Sequence, residues 1–142
     1  MEASADSPFA NGESAEASIP LASKNMSDEF ELYDLKISIE AITGTCTCDH
    51  AIGDHFEMKG GKIHMPDGQP FCLYALQSTL PLLPAKQRPT HPNDWMSTDA
   101  RIACPDPLCG VIMLIERTAT RTLKHSDVSA VKRDDEQMAA GN

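Results

Sequence analysis

The sequence predicts an α+β domain: a small, mostly antiparallel sheet of about four strands with one main helix, flanked by disordered tails. Three observations carry that expectation. Leu35, Ile37, Ile39 and Ala41 alternate with Lys36, Ser38 and Glu40, the period of a half-buried strand. Val111 to Ile115 is a short apolar run of the kind found in a buried strand. Between them the period changes, and Cys72, Leu73, Leu76, Leu80 and Leu83 recur at helical spacing on one face.

The elements follow in order. Residues 1–30 are rich in Ala, Ser, Glu, Asn and Gly and poor in large apolar side chains. Such a stretch buries too little surface to offset its ordering entropy, so it reads as a disordered acidic tail. The first strand is broken by Thr43-Gly44-Thr45, and a loop carries Cys46 to His50. Gly53 to Met58 reads as a short second strand closed by Gly60-Gly61. Lys62 to Gln69 reads as a polar turn or hairpin containing Pro66-Asp67-Gly68. Pro81 and Pro84 limit the helix from Cys72 to two or three turns. Residues 84–98 form an irregular loop holding Trp95; Arg101 to Cys104 is a strand end, and Pro105-Asp106-Pro107 a turn. The folded unit is 31–118, with a polar C-terminal tail over 119–142. A single core of that size gains from a metal staple.

The formal net charge is −9, and it is uneven. Residues 1–34 hold eight acidic side chains against Lys24 alone, whereas 118–142 balance four against four. An acidic chain with no basic stripe argues against nucleic acid or an anionic membrane as partner. No apolar run reaches the roughly 20 residues that span a bilayer, and the amino terminus lacks the pattern of a secretory signal. A cytoplasmic location follows as the expectation, with the five cysteines reduced, as thiols or metal ligands.

Chemistry is concentrated in those cysteines. Cys46-Thr47-Cys48-Asp49-His50 places two thiols and an imidazole on one loop. Cys72 stands at a helix start, where unpaired amides favour a thiolate. Cys104 ends a strand before the Pro-Asp-Pro turn. Cys46, His50, Cys72 and Cys104 therefore make a candidate Cys3His site suited to zinc or iron. The alternatives are a metal-free reactive thiol and inert packing, since cysteine is often buried. Cys46 and Cys48 also suggest a strained Cys-x-Cys redox pair. Cys109 is an extra ligand or a surface thiol. Asp49 and Asp106 flank the candidate ligands as acceptors or general bases, although Asp106 also suits a turn. No phosphate loop, Ser-His-Asp arrangement or nucleophile elbow is present.

From Leu35 to Arg117 the chain resembles a family of short uncharacterised proteins. Their pattern is a strand, Cys-Pro-x-Gly-His, Gly-Asp-x-Phe, a Gly-Gly turn, a cysteine starting a helix, and Cys-Pro-Asp-Pro. The counterparts here are Cys46 to His50, Gly53-Asp54-His55-Phe56, Gly60-Gly61, Cys72, and Cys104-Pro105-Asp106-Pro107. Thr47, Asp49 and Leu73 depart from the pattern's Pro, Gly and Pro. The resemblance singles out the same four residues, leaves Cys48 and Cys109 as additions of this chain, and brings no established activity.

Three functions are thus expected in turn. The first is a protein that binds zinc or iron through Cys46, His50, Cys72 and Cys104. The second is a thiol- or metal-dependent enzyme acting on a small-molecule substrate in a biosynthetic pathway, with Cys46 or Cys104 as nucleophile and Asp49 or Asp106 as proton carrier. The third is an accessory protein whose acidic tail engages a partner.

Overall fold

A computed structural model describes residues 27–130. Positions 1–26 and 131–142, most of the two expected tails, lie outside the described residues. The elements are β1 (Glu29–Ile42), β2 (His55–Lys59), β3 (Lys62–His64), α1 (Leu73–Thr79), α2 (Leu83–Lys86), α3 (Trp95–Thr98), β4 (Arg101–Ala103), β5 (Val111–Lys124) and α4 (His125–Val128). All belong to one α+β unit. Five strands form a single antiparallel sheet in the order β3-β2-β1-β5-β4.

The sheet grows from the alternation in β1. Leu35, Ile37 and Ile39 are buried on one face, and their registers set Ile37 opposite both Phe56 and Ile115. Phe56, Val111, Met113 and Ile115 complete the apolar face. Each such side chain contributes about 1.5–3 kcal/mol by leaving water. Ala75 from α1 and Leu83 from α2 cover it, with Phe71 packed edge-on to Phe56 at 5.0 Å between ring centroids.

Polar groups fasten this cover to the sheet. The Gln87 carbonyl accepts the Tyr33 amide at 2.7 Å, and the Gln87 side chain donates to the Gly60 carbonyl at 2.8 Å. Arg117 lies over the Tyr33 ring and donates to the carbonyls of Lys86 and Arg88 at 2.8 and 2.9 Å. The buried Lys86 ammonium donates to the Asp99 carbonyl. Burial pulls the Lys86 pKa down, with Asp99 opposing it and Arg117 adding to it.

The structure corrects the sequence expectation in several places. There are five strands and four short helices among the described residues, not four strands and one main helix. Lys62–His64 is a strand, because Gly60-Gly61 turns the chain back and pairs Lys59 with Lys62. Leu73 and Leu80 do not sit on the helix's core face: Leu73 is 69% exposed, while Ala75 and Thr79 are buried. The helix lies on the sheet by its small residues, which allow close approach. Residues 84–98 contain the end of α2 and all of α3, whose start is capped by the Asp94 carboxylate accepting the Met96 amide. Both long strands overrun the expected unit of 31–118. β1 begins at Glu29, and β5 continues to Lys124 because the outer halves of β1 and β5 pair with each other.

Candidate thiol site

The site lies where β1 leaves the sheet and β5 enters it. β1 ends at Ile42, where Thr43-Gly44-Thr45 breaks the alternation, but backbone contact with the β5 side continues past it. The Thr43 amide donates to the Gly110 carbonyl at 2.9 Å, and the Thr45 amide to the Leu108 carbonyl at 3.0 Å. This approach is too close for a side chain at Gly44, whose Cβ would fall 2.1 Å from the Leu108 oxygen. Gly110 opposes it at φ 68°, a left-handed conformation suited to glycine. The crossing sets the Cys46 loop against the turn that carries Cys104 and Cys109.

That turn is fixed by its own backbone. Cys104 donates to the Val111 carbonyl at 2.9 Å, and the Asp106 carboxylate accepts the Leu108 amide at 2.9 Å. Asp106 is thus a turn former that also faces the site. Asp49 is exposed and has φ 55°, at the position where the resembled pattern has glycine. Aspartate tolerates this conformation better than most residues.

Cys72 arrives from a third segment and is held by His50. The Cys72 amide donates to Nε2 of His50 at 3.0 Å. A backbone amide can only donate, so Nε2 must carry the lone pair and Nδ1 the proton. Nδ1 then faces the Asp54 carboxylate at 3.3 Å. The imidazole is 3% exposed and packs on Phe71 at 4.6 Å between centroids. The Ala51 amide, at 2.9 Å, holds the Asp54 carboxyl below the usual carboxylate range; burial opposes this and His50 reinforces it. Both ring nitrogens of His50 are therefore engaged, and coordination by His50 requires release of one hydrogen bond.

The five cysteines of the chain all meet here as free thiols. Cys48, Cys72, Cys104 and Cys109 line one cavity of about 370 Å³, together with Thr47, Tyr74, Pro105 and Asp106. Cys46 packs beside it, in contact with Cys109. The hydrogen-bonding contact with Cys72 pushes the Cys48 thiol up to about 11, with burial and the other sulfurs adding to it. Burial, then the Cys46 and Cys104 thiols, push Cys109 up to about 11. Cys72 goes the other way. Burial raises it, but the nearby Ala75 and Tyr74 amides and the Cys48 thiol outweigh that and lower it. Among the described residues, no three His, Cys, Asp or Glu side chains are already set around a common centre for a metal ion.

The structure thus brings together Cys46, Cys72, Cys104 and Asp106, uses His50 to support Cys72, and leaves Asp49 in solvent. Cys48 and Cys109, which the motif pattern set aside, belong to the thiol cluster. Their signal was compositional: no cysteine of this chain lies anywhere else. Tyr74 and Thr47 carried no signal in the sequence. Comparison of the chain with protein-family models, curated proteins and solved structures gives no match.

Proposed function

We propose that this chain binds a soft transition metal ion, zinc or iron, with thiolates of the clustered cysteines as donors. The observation that carries the reading is the convergence of all five cysteines, from three separate chain segments, as free thiols, four lining one cavity and Cys46 packed beside it. Cys46, Cys72 and Cys104 remain the expected core of the donor set. Cys48 contacts Cys72, and Cys109 contacts Cys46 and Cys104, whereas both ring nitrogens of His50 are held in hydrogen bonds, which favours the two thiols over His50 as the further donor. The resemblance to the family of short proteins singles out Cys46, Cys72 and Cys104 together with His50.

Binding on this reading requires the thiols to lose their protons and rotate toward a common point. Affinity therefore rises with pH. Elemental analysis of protein purified anaerobically without added metal tests it. About one equivalent of zinc or iron supports the reading, and less than a few tenths of an equivalent sinks it. In Cys104→Ser the metal should be lost, and in His50→Ala retained, with far-UV circular dichroism reporting whether each variant folds. The reverse pattern restores the imidazole to the donor set.

A second reading, a thiol-dependent enzyme acting on a small metabolite, is favoured by one observation. Cys72 combines a lowered pKa with a place in the cavity wall. This moves the preferred nucleophile from Cys46 or Cys104 to Cys72, with Asp106 on the same cavity. An enzyme of this kind predicts that Cys72→Ser abolishes turnover while leaving cooperative unfolding intact.

A further inference from the structure

We propose that Cys48 and Cys72 form a redox-active dithiol that exchanges with small disulfides of the glutathione-disulfide class. The inference concerns the same cavity but does not rest on metal binding. Cys48 lies in the β1–β2 loop and Cys72 at the start of α1, yet their thiols interact across the cavity that both line. Five thiols allow ten pairings, and the sequence points to a different one, Cys46 with Cys48. That bridge would close a small, strained ring. Cys48 and Cys72 come from separate segments, so no such ring is needed. Cys48 is exposed and Cys72 half-buried, so a small disulfide can reach the pair from the cavity mouth.

The exchange balances in two displacements. One cysteine of the pair, as thiolate, attacks a sulfur of the small disulfide; a protein–glutathione S–S bond forms and one glutathione thiolate leaves. The second cysteine gives up its proton to that thiolate and attacks the protein sulfur of the mixed disulfide. The Cys48–Cys72 bond forms, and a second glutathione departs. The dithiol is oxidised by two electrons, and one glutathione disulfide is reduced to two glutathiones.

The test uses the full chain, anaerobic and freed of metal by a chelator, with metal content recorded beforehand. After incubation with glutathione disulfide, remaining thiols are alkylated and tryptic peptides analysed by mass spectrometry. Cleavage at Lys59 and Lys62 separates Cys48 from Cys72. Cys46 and Cys48 share a peptide, so fragmentation assigns the linked sulfur. The expected result is Cys48–Cys72 as the dominant linkage. Cys48→Ser should trap a glutathione adduct on Cys72, and Cys72→Ser one on Cys48. Dominant Cys46–Cys48 or Cys104–Cys109 linkage overturns the inference, as does complete alkylation of all five cysteines in folded protein. Because metal content is measured separately, its absence counts against the metal reading alone.

Discussion

The two ends of the long β1–β5 pair are built on different chemistry. At the outer end the ribbon is closed by polar partners that satisfy one another. Arg121 forms a two-pronged ion pair with Asp34 at 2.7 and 2.5 Å, the Asp28 carboxylate accepts the Ser126 hydroxyl at 2.5 Å, and Phe30 stacks on His125. At the inner end, two glycines let backbone touch backbone, and five thiols gather beyond them. The outer end is complete in itself. The inner end gathers thiols, which are weak hydrogen-bond formers, and four of the five face a shared cavity. The exposed contact of Asp28 with Ser126 adds little to stability, whereas the thiol cluster assembled from three segments offers reactive groups.

The largest expected effect tests the glycine crossing. Gly44→Ala puts a methyl into the Leu108 carbonyl, backbone against backbone, and should cost about 2–4 kcal/mol by denaturant unfolding. The same variant should weaken Cys48–Cys72 exchange, because the crossing positions the Cys46–Cys48 loop. A loss below about 0.5 kcal/mol would mean that the two loops are not locked together.

A smaller effect is expected at the His50 support. The folded state holds the Asp54 carboxyl below its unfolded value, so its stabilisation is fully present above the unfolded pKa. It is lost as pH falls through the depressed folded value. Asp54→Asn should therefore be less stable than the native chain near neutrality and should flatten the acid limb of the stability curve. Parallel acid limbs in the two proteins would remove Asp54 from the account.

The smallest effect belongs to the outer end. Asp34→Asn removes the charge from the Arg121 pair, whose carboxylate is buried and whose guanidinium reaches solvent. It should lower the melting temperature by a few degrees at most, and less at high salt. Metal content and thiol pairing should not change. If they do, the two ends are coupled through the strands, and the comparison fails.

Much of the sheet was legible because alternation is local: Leu35, Ile37 and Ile39 mark their face without knowledge of the partner strands. The helix was legible in place but not in orientation. Leu73 and Leu80 obeyed helical spacing, yet small Ala75 and Thr79 make the close contact, and packing distance is not written in hydropathy. The overrun of β5 to Lys124 was hidden for a related reason. Polar Thr118, Thr120 and Thr122 form strand there because β1 offers its free edge.

By itself, the sequence determined an antiparallel α+β unit and marked its cysteines as the chemical feature, since periodicity and residue type are properties of the chain alone. Only the tertiary structure decided which thiols meet. Cys48 reaches Cys72 and Cys46 reaches Cys109 because Gly44 and Gly110 cross at backbone distance. His50 turns inward to hold the Cys72 amide because a buried amide must find an acceptor. Such meetings depend on the closure of distant segments, which no local spacing encodes.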